Sequence, residues 1–211
     1  MKKQGILTII SGFSGVGKGT IVNRLLQEHQ DQYCLSISAT TRAPRTGEAD
    51  GVNYFFVSRE AFESMIEKGE LLEYAQYVDN YYGTPKKFVV DKLNQGINVI
   101  LEIEMQGALK MKQQYPEALL IFVAPTKASD LEERLRGRAT ETEEQIHNRL
   151  VRAAQEAEFM KHYDYIVVND TVDRATREIH EIIINERDRV PRRKDFIDAL
   201  NRDLNTFVKG E

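Results

Sequence analysis

Unbroken apolar runs recur along the chain, and helical stripes lie between them. Ile6-Leu7-Thr8-Ile9-Ile10, Ile97-Asn98-Val99-Ile100-Leu101, Leu119-Leu120-Ile121-Phe122-Val123 and Tyr165-Ile166-Val167-Val168 read as strands, with Cys34-Leu35-Ser36-Ile37 a further candidate. They lack polar alternation, as parallel strands covered on both faces do. Lys18 to His29 carries Ile21, Val22, Leu25 and Leu26 on one helical face, and Ala175 to Arg187 carries Ile179, Ile182 and Ile183 likewise. This alternation predicts an α/β fold: a mainly parallel sheet with helices on both faces.

Three stretches break the rhythm. Within residues 39–95, Asn53-Tyr54-Phe55-Phe56-Val57, Leu71 to Val78 and Tyr81-Tyr82-Gly83 are short and aromatic, with a helical segment at Arg59–Lys68. They predict a small mixed β insert. Residues 126–160 are the most charged and read as two surface helices joined near Gly137-Arg138-Ala139, the second opened by the capping-box spacing Thr142-Glu143-Glu144-Gln145. The tail from Arg192 to Val208 places Phe196, Ile197, Leu200, Leu204 and Phe207 at helical spacing, a stripe for the core or for a second subunit. The expected organisation is a core of residues 1–38, 96–125 and 161–190, an insert at 39–95, a lid at 126–160 and a C-terminal helix at 191–211.

Composition narrows the class. A chain of 211 residues can bury a core without disulfides, and its one cysteine, Cys34, fits a reducing compartment. A net charge of −4 lacks the positive balance of a general nucleic-acid binder. No run approaches the roughly 20 apolar residues that span a bilayer, and the first apolar run is too short for a signal peptide. A cytoplasmic location with neither nucleic-acid nor membrane partners is expected.

The sharpest chemical feature is Gly12-Phe13-Ser14-Gly15-Val16-Gly17-Lys18-Gly19-Thr20. It follows a predicted strand and opens a predicted helix, the context in which such a loop cradles phosphate. Glycines let several N–H groups face one anion, and the helix N-terminus adds its dipole. Lys18 supplies a point charge for β- and γ-phosphates. The strict pattern has Ser or Thr directly after the lysine; here Gly19 stands there and Thr20 follows. Lys-Gly-Thr resembles the form found in several nucleoside monophosphate kinases. Gly19 offers no metal ligand, so Thr20 is left for an α-phosphate, and Glu102, at the end of a strand, for Mg²⁺ through water.

A longer set of motifs resembles the guanylate kinase family. Ser38-Ala39-Thr40-Thr41-Arg42-Ala43-Pro44-Arg45-Thr46-Gly47-Glu48 is followed in order by Gly51 to Val57, Glu73-Tyr74-Ala75, Asn80 to Thr84, Glu102 to Gly107, Arg138 to Glu143 and Val168-Asn169-Asp170. The resemblance covers about residues 5–190. It implies a P-loop NTPase-type core, a nucleoside-monophosphate-binding insert, a helical lid and phosphoryl transfer from ATP to GMP. Ser14, Gly15, Val16, Gly17, Lys18, Gly19 and Thr20 match the ATP phosphate loop. Arg134, Arg138 and Arg149 match lid arginines over the donor phosphates, and Asn169 a residue near adenine. Arg42, Arg45, Tyr54 and Tyr82 match residues holding the acceptor phosphate; Ser38, Glu73, Gly83, Thr84 and Glu104 match the surroundings of guanine. Lys18, Arg45, Arg138 and Arg149 match the catalytic charges. The chain departs from the family at three positions: Phe13 for a common proline, Glu104 for a common aspartate and Ala139 for a frequent glycine.

The chemistry agrees. Guanine offers N1–H and N2–H₂ donors on one edge, which suit carboxylates; hydroxyls suit O6. Adenine would set a lone pair against a carboxylate. The acceptor phosphate, with a second pKa of about 6, is already largely ionised at neutral pH, so no general base is needed. Catalysis is then positioning and charge neutralisation, and His29, His147, His162 and His180 are left as surface or packing residues. Two other readings stay open: a kinase with a different acceptor, and a guanylate-kinase-like binding module. The oligomeric state, monomer or homo-oligomer, is also open.

Overall fold

The computed structural model describes residues 4–77, 79–137 and 142–209, without the side chains of Tyr77 and Lys209. A five-stranded sheet forms the core, built from β1 (Leu7–Gly12), β2 (Tyr33–Leu35), β7 (Asn98–Glu102), β8 (Leu119–Ala124) and β9 (Tyr165–Val168) in the order β2-β7-β1-β8-β9. Every pairing in it is parallel. β1 therefore lies at the centre, and the strands beside it continue to opposite edges of the sheet. A crevice outside the carboxyl ends at such a point is where open α/β sheets bind ligands.

The two faces of the sheet explain the unbroken apolar runs. On one face Ile6 and Ile10 meet Ile21, Val22 and Leu25 of α1 (Lys18–Glu28) and Ala175, Ile179 and Ile183 of α7 (Val172–Glu186). On the other, Leu7 and Ile9 meet Val89 of α3 (Lys86–Asn94) and Ala108 and Met111 of α4 (Met105–Gln114). Each fully buried aliphatic side chain contributes about 1.5–3 kcal/mol. The reading of Tyr165 to Val168 as covered on both faces needs correcting. β9 is an edge strand; only Val167 is buried, and Tyr165, Ile166 and Val168 are exposed.

A second sheet, in the order β4-β3-β6-β5, is the mixed β structure expected between residues 39 and 95. β3 (Ala39–Thr40) pairs parallel with β4 (Phe55–Phe56) and antiparallel with β6 (Asn80–Pro85), which pairs antiparallel with β5 (Leu71–Tyr77). α2 (Arg59–Glu67) is capped by Ser58, whose hydroxyl accepts from Ala61 N. Phe62 of that helix is fully buried and stacks on Tyr81.

The charged stretch forms α5 (Ala128–Arg136) and α6 (Glu143–Ala157), and both halves of the Thr142–Gln145 capping box are present. α7 is followed by a short 3₁₀ turn at Val190–Arg193 and then α8 (Lys194–Lys209). The tail stripe is only partly covered: Phe196, Leu200, Leu204 and Phe207 are all exposed. No helix among the described residues is long and apolar enough to cross a membrane.

Candidate active site

β1 delivers the glycine loop to the carboxyl edge of the sheet. Gly17 has a left-handed φ of 98° and N-caps α1 with no side-chain hydrogen bond. A Cβ there would stand 2.7 Å from Asn169 Nδ2, so strain and crowding both demand glycine. With no side chain capping them, the first-turn N–H groups of α1 stay open to an anion. Phe13 anchors the loop: it is buried, with its ring edge-on to Phe122 at 5.0 Å. The departure from proline at that position therefore adds a core contact. Val16 is fully buried, so it can offer a ligand only its backbone, while Ser14 and Thr20 are exposed.

Backbone carbonyls hold the loop's polar side chains. Lys18 Nζ donates to Gly12 O at 2.6 Å and to Phe13 O at 3.2 Å. Arg134 on α5 donates to Val16 O and Asn169 O, at 2.8 and 2.9 Å. Buried Asn169 donates Nδ2–H to the same Val16 carbonyl at 2.8 Å. Arg134 and Asn169 thus brace the loop from beneath. Arg149 on α6 donates to Ser14 Oγ at 2.9 Å. Arg138, predicted to join them, lies outside the described residues, as does Ala139.

The second sheet collects the other predicted group. Arg42 donates to Glu48 Oε1 at 2.8 Å, and its guanidinium lies 5.3 Å from the Tyr54 ring centre. Tyr54 and Tyr82 meet edge to face at 6.0 Å. Glu48 Oε2 accepts from Arg45 N at 2.7 Å, so one carboxylate ties both arginines to a single turn. The Arg42 guanidinium and the Arg45 N–H hold the Glu48 carboxyl below its usual range, and Glu48 raises Arg42. The Arg45 side chain is exposed and forms no hydrogen bond or ion pair among the described residues.

The base-side candidates are split. The β5–β6 register shifts between Leu71 and Tyr74, and Glu73 lies within that irregularity. Buried Thr84 on β6 donates its hydroxyl proton to Glu73 Oε1 at 2.7 Å. That proton is not available to a guanine O6, so Thr84 here orients Glu73. Burial pushes the Glu73 carboxyl up, partly offset by this hydrogen bond. Gly83 is needed for close pairing, since a Cβ would meet Glu73 O at 2.8 Å. Ser38 precedes β3, and its carbonyl accepts from Phe55 N. Glu104, the N-cap of α4, accepts from Arg152 of α6 at 2.8 Å.

Gly12, Ser14, Lys18, Glu102, Glu104, Arg149 and Arg152 line one cavity of about 420 Å³. Glu102 sits at the end of β7 facing α1, its Oε2 4.0 Å from where a Gly19 Cβ would be. Among the described residues no cluster of three or more His, Cys, Asp and Glu side chains is arranged to hold a metal. Glu48 and Arg152 have no role in the sequence reading. Glu48 carried a signal, since it closes the Ser38–Glu48 motif; Arg152 carried none.

A glycine loop folded over an uncapped helix N-terminus, at the switch point of a parallel sheet, defines a phosphate-binding α/β protein. The comparisons with known proteins narrow the class. The guanylate kinase family model matches residues 4–186. The guanylate kinase of Clostridioides difficile is 52% identical over 195 residues, covering 92% of this chain and 95% of that one. That of Caldanaerobacter subterraneus is 51% identical over 196 residues, with 93% and 95% covered. The crystal structure of guanylate kinase from Anaplasma phagocytophilum superposes with a TM-score of 0.69 at 32% identity, covering 91% of each chain. The chain belongs to the guanylate kinase family.

Proposed function

We propose that the protein transfers the γ-phosphoryl group of ATP to GMP, reversibly, giving ADP and GDP, and that dGMP also serves as acceptor. The observation that carries the acceptor assignment is Glu73. A carboxylate kept partly from water, oriented by Thr84 and with no other donor among the described residues, is matched by an edge that brings N1–H and N2–H₂ together. Residues 39–95 bind the acceptor. Arg42 and Arg45 grip its phosphate, with the Tyr54 and Tyr82 hydroxyls beside them, while Ser38, Glu73, Thr84 and Glu104 surround its base.

Residues 126–160 form the lid. Lys18 and the N–H groups of the loop hold the donor phosphates, and Arg149 and Arg138 add charge as the phosphoryl group moves. Arg45 lies between donor and acceptor. Two polyanions must meet, so these cations lower the barrier by neutralisation and alignment. Closure of both segments excludes water, which would otherwise hydrolyse ATP. The reaction belongs to purine nucleotide metabolism in the cytoplasm.

The donor set fits Mg²⁺ carried by ATP: the exposed carboxylate of Glu102 in the cavity with Lys18, with Glu104 nearby held by Arg152, and no hydroxyl at Gly19. Such an ion keeps most of its ligands as water and phosphate, with Glu102 holding it through water. When bound it neutralises phosphate charge.

The test is turnover of GMP, dGMP, AMP, UMP and dTMP with ATP. GMP is expected to lead by a wide margin; preference for any other base overturns the assignment. Absence of turnover with all five would favour a binding module, a reading that the retained Lys18, Arg42, Arg45 and Arg149 oppose.

A further inference from the structure

Helix α6 reaches both halves of the cavity with arginines three residues apart, a spacing that puts them on one helical face. Arg149 donates to Ser14 of the phosphate loop. Arg152 donates Nη2–H to Glu104 Oε2 at 2.8 Å and Nε–H to Glu156 Oε1 at 2.9 Å. One guanidinium therefore bridges two carboxylates, and Glu156 on the same helix fixes its plane.

The cavity wall carries Glu102, Glu104 and Glu156 against Lys18, Arg149 and Arg152. Glu104 has a longer side chain than the aspartate common in the family, and it stands in the open, with its side chain 80% exposed. An unheld glutamate there would sample several rotamers and lose entropy on meeting a base. Arg152 uses Oε2 alone and leaves Oε1 unoccupied among the described residues.

We propose that Arg152 is a positioning residue for base recognition: it holds Glu104 with one carboxylate oxygen and leaves the other aimed at the 2-amino edge of guanine. The proposal rests on the GMP reading above. In open solvent such a pair contributes little. Closure over two nucleotides removes water from it, and charge pairs in dry interfaces couple more strongly.

The experiment compares wild type, Arg152→Ala, Glu104→Ala and the double variant with ATP and either GMP or IMP, which lacks the 2-amino group. Arg152→Ala is expected to raise KM for GMP about tenfold, equivalent to about 1.4 kcal/mol, with kcat and the KM for ATP nearly unchanged. The GMP to IMP ratio of kcat/KM should fall by a similar factor, and the effect should vanish on the Glu104→Ala background. A KM change below threefold, an unchanged ratio, or an equal effect on that background overturns the proposal. So does tighter GMP binding, which would make Arg152 a competitor for Glu104. Failure of wild type to use GMP would instead strike the underlying assignment. Arg152 is exposed on its helix, so loss of fold would not explain the result.

Discussion

The phosphate loop and the second sheet hold their charged residues in different ways. Around the loop, side chains answer mainly to backbone: Lys18 to the carbonyls of Gly12 and Phe13, Arg134 to those of Val16 and Asn169, Asn169 to Val16, with Arg149 on Ser14 Oγ the exception. In the second sheet, the contacts that shape the site pair side chains, Arg42 with Glu48 and Thr84 with Glu73, although Glu48 also accepts from the Arg45 N–H and Arg42 also donates to Ala43 O. A cradle built on backbone is insensitive to which nucleotide carries the phosphate. A site built on paired side chains can be specific, because each pair leaves particular atoms open. Phosphate binding and base selection are thus separable, and variants on the two sides should fail in different parameters.

The largest expected effect is on the loop side. Lys18→Met should lower kcat by about 10³-fold, the scale for losing one group that stabilises developing charge. Binding of GMP, measured by calorimetry, should hardly change. A matching loss of GMP affinity would show that the two sides are not separable.

Next comes Glu73→Gln on the acceptor side. It places an amide where two donors must be accepted, and kcat/KM for GMP should fall about 10²-fold while KM for ATP holds. The same change should raise thermal stability. Burial lifts the Glu73 carboxyl above its usual range. The folded chain then binds this proton more readily than the unfolded one, so stability from this group is present at low pH and lost as pH rises through its folded value. At neutral pH the ionised carboxylate is a cost that Gln removes. A lower melting temperature would contradict the assigned burial cost. Acidification should also weaken GMP binding more in wild type than in the variant, since protonation of the GMP phosphate is common to both.

A smaller effect is expected from Glu48→Ala. Glu48 holds Arg42 and the backbone of Arg45, and losing it should raise KM for GMP about threefold, the range of a partly exposed pair. An unchanged KM would mean that the arginines are positioned by Tyr54 and the turn alone.

The sequence reveals the two sides unequally, for the same physical reason. Loop chemistry is local: nine consecutive residues and a helix start carry it, and the strands behind it are marked by unbroken apolar runs. Capping at Thr142 is local too, and it is present as predicted. Pairing between side chains is not local. Arg152 and Glu104 lie 48 positions apart, and nothing in either neighbourhood signals the other. Thr84 reads as a base contact, and nothing in its neighbourhood signals its pairing with Glu73. Exposure is equally non-local. Tyr165 to Val168 reads like the central strands, and only its place at the sheet edge leaves it open.

The last contrast concerns acid. His29, the C-cap of α1, stacks on His180 of α7 with ring centres 3.9 Å apart and planes within 4°. Tyr33 Oη lies 2.8 Å from His180 Nδ1, and burial pushes its pKa up to about 12. The phenol therefore keeps its proton and shares a hydrogen bond with the His180 ring. Burial lowers the pKa of His180, His29 and Arg187 lower it further, and Glu181 and Glu28 oppose them. The sign follows: a depressed folded pKa gives stability that is present above the unfolded value, about 6.5, and lost as pH falls through the folded one. Acid should thus loosen the joint between α1 and α7 at the end of α1 remote from the phosphate loop, whereas on the acceptor side it protonates a ligand-binding carboxylate. Between about pH 7 and pH 5 the melting temperature of wild type should fall more than that of His180→Asn. Parallel curves would mean that His180 contributes nothing to the acid response, leaving Glu73 as the acid-sensitive group that distinguishes the two halves.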